Sequence, residues 1–286
     1  MEITICEIHN CLHHIIDIFV YILSKNNIKI KITYNIQNDN EIWMGIFNEG
    51  NTPNKYIMIN TEPLNVDYWK NILEKVINNA LFILDYSYGN ESVYKSMKIT
   101  NYFILPFGYC ELHENIYNNS VLSKDKDKDI DILFYGALTD RRKNILTDIT
   151  KFSYENNINC VVRDNNLYDY NEKSNMLSRT KIVITIASRE PDILKTNDMF
   201  RLSFLLSNKI FFIAEKIGDD IIEDQIFGNY IEYYRTIEEL KNKILYFINN
   251  SKECENKVNN LYNFAKSNYN IENHFPIDKI KSYLNT

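Results

Sequence analysis

Asp129-Ile130-Asp131-Ile132-Leu133-Phe134-Tyr135-Gly136-Ala137-Leu138-Thr139-Asp140-Arg141-Arg142 is the stretch on which the reading of the fold turns. The run Ile130–Tyr135 is short, apolar and β-prone, the pattern of a strand buried on both faces of a parallel sheet. Gly136 ends it, and Thr139 or Asp140 can cap a following helix whose inward face reads Ile145, Ile149 and Phe152. A strand that enters a helix through a glycine turn leaves backbone N–H groups open at the helix start, and these favour anions. Arg141 and Arg142 add positive charge at that mouth, which suits a diphosphate. The same residues also fit a surface turn with solvated arginines.

Working outward, the strand–helix alternation runs in both directions. Upstream, strands are expected at Ile3–Cys6, Ile28–Tyr34, Glu41–Phe47, Tyr56–Asn60, Ala80–Leu84 and Tyr102–Leu105. Helices are expected over Leu12–Ser24, with Ile15, Ile16, Phe19 and Leu23 inward, and over Tyr68–Asn79, with Trp69, Ile72, Leu73 and Val76 inward. Downstream, strands at Ile158–Val162, Lys181–Ile186, Lys209–Ala214 and Tyr230–Tyr233 alternate with helices at Arg141–Asn156, Glu172–Arg179, Asp198–Ser207 and Ile237–Asn249. The last of these opens with a capping box, Thr236 and Glu239. Such alternation specifies parallel α/β sheets. The stretch Ser123-Lys-Asp-Lys-Asp-Lys-Asp129 is too polar to pack and too short for a domain, so 123–129 reads as a linker between domains 1–122 and 130–286. Helices complete the chain and are expected to return across the first domain.

Composition narrows the function. A chain of 286 residues with 45% hydrophobic content can fill two cores, while 24% charged residues and a mean hydropathy of −0.35 point to a soluble, cytoplasmic protein. The excess of Asn, Ile, Lys and Tyr looks like AT-biased coding, so the 21 tyrosines do not by themselves mark a binding surface. A net charge of −6 argues against a nucleic-acid partner, which would require a basic face. The five cysteines are irregularly spaced, as reduced thiols are. No secretory leader is evident, and the segment Ile15–Leu23, interrupted by Asp17, is too short to span a bilayer, so no stable membrane insertion is expected.

With seven glycines the chain has neither the dinucleotide fingerprint nor the phosphate-loop signature, which counts against dehydrogenases and phosphate-loop kinases. A second cluster runs from Ser188-Arg189-Glu190-Pro191-Asp192 through Lys195-Thr196-Asn197-Asp198-Met199-Phe200-Arg201 to a strand ending at Glu215. It places a polar loop between a strand end and a helix start, where ligands bind in open α/β sheets. Thr196 or Asn197 can cap that helix, with Arg201 one turn in, either facing a ligand or snorkelling along the helix.

Several segments together resemble the GT-B glycosyltransferases, and among them the branch that includes CgeB-like, spore-maturation-type proteins. In the second half these are Asp131-Ile-Leu-Phe-Tyr-Gly136 with Arg141-Arg142, and Arg201-Leu-Ser-Phe-Leu-Leu-Ser-Asn208 leading to Phe211-Phe-Ile-Ala-Glu215. In the first half they are Tyr56-Ile-Met-Ile-Asn-Thr-Glu62, Leu84-Asp85-Tyr86-Ser87-Tyr88-Gly89-Asn90 and Leu105-Pro106-Phe107-Gly108-Tyr109. Pro63 stands where that branch often has glutamine. The resemblance covers most of the chain through short motifs. It implies two Rossmann-like βαβ domains facing across a cleft, with a C-terminal helical tail.

The resemblance further implies a hexosyltransferase-like enzyme that moves a sugar from a nucleotide-sugar donor to a glycan, protein or small-molecule acceptor without metal or cofactor. The donor would be held by Gly136, Arg141, Arg189, Lys195, Asn197, Phe200, Arg201 and Glu215, with Arg141 on the diphosphate and Glu215 on the ribose or sugar. Stabilising the phosphate charge that develops on the leaving group is usually the largest catalytic contribution. An inverting reaction also needs a base to deprotonate the acceptor. Candidates are His13, in the first strand–helix turn beside Glu7, His9 and His14, and Glu62 and Asp85 at later strand ends. A retaining reaction needs no such base.

Cys6, His9, Cys11, His13 and His14 have the ligand types for zinc but no paired spacing. Asp125, Asp127, Asp129 and Asp131 approach the D-x-D pattern of metal-dependent sugar transferases, yet sit in the linker and at a strand entry. Asp85-Tyr86-Ser87 lacks the G-x-S-x-G context of a serine hydrolase. Two rivals remain: a GT-B protein that binds a glycan or partner without catalysis, and a two-domain epimerase of the same architecture.

Overall fold

Alternating apolar runs and amphipathic stretches become parallel strands and crossover helices in the computed structural model, which describes residues 1–6, 13–36, 41–47, 52–119, 128–164, 167–191 and 193–285. The first compact unit comprises Met1–Phe107 and Ile271–Thr286, and the second Gly108–Asn270.

The first unit runs β1 (Glu2–Cys6), α1 (His13–Lys25), β2 (Lys29–Thr33), β3 (Trp43–Gly45), β4 (Tyr56–Asn60), α2 (Asp67–Val76), β5 (Ala80–Asp85), α3 (Glu91–Ser96) and β6 (Tyr102–Ile104). Its strands form one parallel sheet in the order β2-β1-β3-β4-β5-β6. Every residue of β4 is buried, as a strand covered on both faces requires. Helix α1 turns Ile15, Ile16, Phe19 and Leu23 inward as its spacing predicted, together with Ile18 and Ile22. In α2 only Leu73 and Val76 are buried, while Trp69 packs partly against that core.

The second unit runs α4 (Glu111–Asn119), β7 (Ile130–Tyr135), α5 (Asp140–Glu155), β8 (Cys160–Arg163), α6 (Tyr170–Ser178), β9 (Thr180–Thr185), α7 (Met199–Ser207), β10 (Phe212–Glu215), α8 (Ile222–Phe227), β11 (Glu232–Tyr234), α9 (Ile237–Ile248) and α10 (Ser251–Asn268). Its parallel sheet has the order β11-β10-β9-β7-β8. The chain steps from β7 outward to β8 and then returns past β7 to β9, so strand order reverses at the β7/β9 pair. Helices α5 and α9 cover one face, where Ile149, Leu240 and Ile244 meet Ile132, Phe134, Ile182 and Ile184. The buried stripe of α5 is Arg142, Leu146, Ile149 and Ser153, with the expected Ile145 and Phe152 at its margins. That rotation puts an arginine, not an isoleucine, under the strand ends.

The last helices, α11 (Ile271–His274) and α12 (Ile277–Leu284), belong to the first unit. Phe275 packs on Phe19 at 5.5 Å, Tyr283 stacks on Phe82 at 5.9 Å, and Glu272 pairs with Lys25 at 2.7 Å. The units therefore divide at Phe107/Gly108 and Asn270/Ile271, whereas the charged stretch expected to be the linker lies outside the described residues over 123–127. At the first division Tyr109 N–H donates to Tyr269 O at 2.9 Å, and a Cβ on Gly108 would overlap that same carbonyl oxygen. Glycine is required there by close approach. Among the described residues no helix is long and apolar enough to cross a membrane.

Candidate functional site

In open α/β sheets ligands bind beyond the carboxyl ends of the strands where strand order reverses. In the second unit that place is the crevice beyond β7 and β9. Gly136 turns the chain out of β7 with φ of 141°, a conformation that side chains rarely adopt. Thr139 then caps α5, its side chain accepting from Arg142 N–H.

Beyond the last paired residues of β7 and β9, the carbonyls that follow β9 have no sheet partner to satisfy them, and the arginines of α5 do so. Arg142 Nε donates to Ile186 O and Nη1 to Ala137 O, both at 2.9 Å, and its guanidinium lies 5.6 Å from the Phe134 ring. Arg141 Nη1 donates to Ala187 O at 3.0 Å and to Glu215 at 2.9 Å; Nη2 completes a bidentate pair with Glu215, and Nε reaches Glu190 at 3.0 Å. Glu215 also accepts Ala187 N–H at 2.8 Å. Burial opposes charge on Arg141, but the bonds and charges of Glu215 and Glu190 outweigh it and hold the guanidinium above its ordinary range. The structure thus engages Arg141 as a brace across three strand ends, and Glu215 as its counter-ion. Most of their polar atoms are engaged with each other, Ala187 and Glu190.

The positive charge left over belongs to others. Arg142 is 7% exposed and has no carboxylate within ion-pair distance among the described residues; burial, then neighbouring Arg201, pushes it down to about 10. Arg201 sits in the first turn of α7, its side chain 9% exposed, stacked 5.1 Å from Tyr135 and 3.3 Å from Asp198. Lys173, in the first turn of α6, is 6% exposed and lies 4.8 Å from the Phe204 ring; burial, then Arg201, pushes it down to about 7. Two guanidinia with one half-exposed carboxylate beside them, and an amine close by, produce a positive edge, which is what an anion requires.

The loop between β9 and α7 supplies less than its sequence promised. Asp198 caps α7, accepting Arg201 N–H, in place of Thr196 or Asn197. Asn197 is 7% exposed and donates at 2.7 Å to Asp224, whose carboxylate also accepts the N–H of Ile217 at 3.2 Å. Asn197 therefore anchors the loop to the start of α8 and does not project into the crevice. Asn197→Ala is expected to lower the melting temperature by an amount equivalent to about 1–3 kcal/mol, since it removes one of the hydrogen bonds that hold a buried carboxylate; unchanged unfolding would show the bond contributes nothing. Lys195 pairs with exposed Asp220 at 3.1 Å, Arg189 is exposed, and Phe200 is half-buried in the first turn of α7.

In the first unit two of the motif segments, 56–62 and 84–90, converge on one buried carboxylate, and Leu105 N–H of the third donates to the backbone carbonyl of the same residue at 2.7 Å. Asp85 is 1% exposed, and its oxygens accept Asn60 Nδ2 at 2.8 Å, Ser87 N–H at 2.8 Å, Asn90 Nδ2 at 3.0 Å, and the Tyr94 hydroxyl. Asn90 Oδ1 in turn accepts Leu64 N–H at 2.8 Å, and the amides of Asn60 and Asn90 both donate to Glu62 O. This knot shapes the turns after β4 and β5. Burial pushes Asp85 up to about 6 against the four hydrogen bonds that lower it. With no exposed oxygen to take a proton from a hydroxyl, Asp85 is a structural carboxylate, which corrects its candidacy as a base. Glu62 stands half-buried on the turn the knot holds. His13 is the first residue of α1, its side chain 52% exposed and 3.5 Å from Asp17. Glu7, His9 and Cys11 lie outside the described residues, as do Asp125, Asp127 and Asp192. Asp129 and Asp131 pair with Arg179 and Lys181.

Sequence reading missed Lys173, Tyr135 and Asp198. A lysine in a polar helix carries no local sign of burial, and only the packing of α6 against α7 exposes its role. Asp198 was legible, because Asp is as good a cap as Asn.

No known family profile matches this chain. An uncharacterized protein of Acanthamoeba polyphaga mimivirus is 23% identical over 226 residues, 77% of this chain and 71% of that protein. A mutant of S. aureus TarM, solved in complex with Fondaparinux, alpha-GlcNAc-glycerol and UDP, superposes with a TM-score of 0.52 at 13% identity over 93% of this chain. The chain spans 57% of the length of that structure. The likeness carries the fold, two parallel α/β units of the GT-B kind, as the motifs implied.

Proposed function

We propose that this chain is a glycosyltransferase that takes a sugar from a nucleoside-diphosphate donor bound at the β7/β9 crevice of the second unit. The observation that carries the reading is the pair of guanidinia, buried Arg142 and largely covered Arg201, at the point of strand reversal, in a fold shared with a protein solved with UDP. Arg142 and Arg201 would hold the diphosphate and stabilise its charge as the sugar leaves, a role that needs no metal. Arg141 and Glu215 keep the strand ends in register beneath it. The first unit would carry the acceptor, with His13 or Glu62 as base if the reaction inverts. Assignment to the CgeB-like branch rests on the Asn60, Asp85 and Gly108 segments, each of which has a structural task.

Calorimetric titration with UDP, GDP, CDP and ADP tests this. Binding of one of them by the wild type, weakened about 10–100-fold by Arg201→Met, is the expected result, as removing a charge-assisted phosphate contact is worth about 1.5–3 kcal/mol. A wild type that binds none of the four sinks the reading.

One observation favours a second reading, a GT-B protein that binds without transferring. Arg141, the residue expected on the diphosphate, spends its donors on Glu215, Glu190 and Ala187. Nucleotide binding with no release of nucleoside diphosphate from any nucleotide-sugar would decide for it.

A further inference from the structure

Helix α6 ends at Ser178, and β9 begins at Thr180 on the amino edge of the sheet, so the first turn of α6 lies at the carboxyl edge. Lys173 is in that turn. Its stem is buried, and the ammonium rests against the Phe204 ring at 4.8 Å and the Tyr170 ring at 5.7 Å. Aromatic faces offer an ammonium their quadrupole but no lone pair, and an ammonium carries three donors. Among the described residues Lys173 has neither a hydrogen-bond acceptor nor a carboxylate within ion-pair distance, at 6% exposure. The charged and titratable groups on the elements around it are Arg201 and Asp198 of α7, Tyr135 at the end of β7, Tyr170, Glu172 and the capping Asp169 of its own helix, and Glu111, His113, Glu114 and Tyr117 of α4, with the His113 ring 5.0 Å from Phe204. The guanidinium of Arg201 is the neighbour that acts on it most strongly.

A buried amine so placed is short of one thing, an anion. We infer that Lys173 is a proton-loading phosphate contact, an amine that sheds its proton in the free protein and takes one up when a phosphate group enters the crevice beside Arg142 and Arg201. The inference rests on reading that crevice as a phosphate site. Burial and Arg201 both disfavour the ammonium, and its free pKa of about 7 agrees. An incoming phosphate reverses both influences, since it supplies acceptors and offsets the arginine. Binding is then coupled to pH through the protein and not only through the ligand. An amine that can give up its proton also lowers the cost of holding a third positive charge beside Arg142 and Arg201 before the ligand arrives.

The test is isothermal calorimetry with inorganic pyrophosphate and, separately, with UDP, each in two buffers of different ionisation enthalpy, for the wild type, Lys173→Arg and Lys173→Met. Arginine keeps its charge throughout, so the proton uptake of the wild type in excess of Lys173→Arg isolates the lysine from the ligand's own titration. The expected excess approaches one proton per pyrophosphate at pH 8. The wild-type advantage over Lys173→Met should shrink about tenfold per pH unit above neutrality, while that of Lys173→Arg stays constant. Melting curves of both variants confirm that they fold. Pyrophosphate binding with equal proton uptake in wild type and Lys173→Arg overturns the inference and leaves the nucleotide reading standing, and so does affinity unchanged by Lys173→Met. Pyrophosphate binding with the expected uptake but no affinity for UDP keeps the phosphate contact and overturns the nucleotide. Failure to bind pyrophosphate overturns the inference outright.

Discussion

Asp85→Ala should cost the first unit about 3–5 kcal/mol of stability, a large share of the roughly 5–15 kcal/mol that a folded domain commands. The carboxylate gathers the side chains of Asn60, Asn90 and Tyr94 and the N–H of Ser87. Truncation takes an acceptor from each of these donors, although both asparagine amides keep Glu62 O, and each bond lost at a buried site costs about 1–3 kcal/mol before relaxation. Denaturant unfolding read by far-ultraviolet circular dichroism measures the loss, and a variant within 1 kcal/mol of wild type would refute the knot. The penalty also depends on pH. A carboxyl raised to about 6 in the fold contributes most stability below its unfolded value near 4, and that contribution disappears as pH rises through 6. The alanine variant should therefore fall further behind wild type at pH 5 than at pH 8, by about 1–1.5 kcal/mol. A gap that widens on raising the pH would mean that the hydrogen bonds outweigh burial at this site.

Arg141→Ala is expected to be equally damaging to the second unit, at about 3–5 kcal/mol. It deserts Glu215, whose side chain is 6% exposed, and it unties the carbonyl of Ala187 from the start of α5. If Arg141 served only to hold ligand, the same substitution would abolish nucleotide binding and leave unfolding untouched, so the two measurements together separate brace from ligand contact. Glu215→Gln breaks the same pair from the other side. The double variant should lose less than the two single losses combined, with a coupling of about 2–3 kcal/mol, because the second change removes a charge that the first had already orphaned. Additive losses would show that Arg141 and Glu215 act separately.

Much of this architecture was written locally. The strand at Ile130–Tyr135 was legible to the residue because an apolar run is stopped by Gly136, whose backbone turn few other residues can make. Thr139 and Thr236 were readable as caps because a cap binds an N–H three residues on. Helix α1 showed its inward face because apolar residues recur on one side of it. The short polar helices α3, α4 and α8 escaped notice, since brief helices lacking a continuous apolar stripe form only where packing supports them.

What the tertiary structure alone decided was the partnering of charges. Arg141 and Arg142 are adjacent and chemically alike, yet one faces Glu215, 74 residues away, and the other lies buried over Phe134 among carbonyl oxygens. No spacing rule distinguishes them, because the choice depends on which way α5 is rotated against the sheet and on where β10 ends. Asp85 looked like a base in sequence and is a knot in space, and Lys173, which no motif singled out, is enclosed. Hydrogen bonding within a helix or turn reaches a few residues, so it leaves a mark in the sequence; the partner of a buried charge is set by chain crossings that bring distant strand ends together, and so only the fold could assign it.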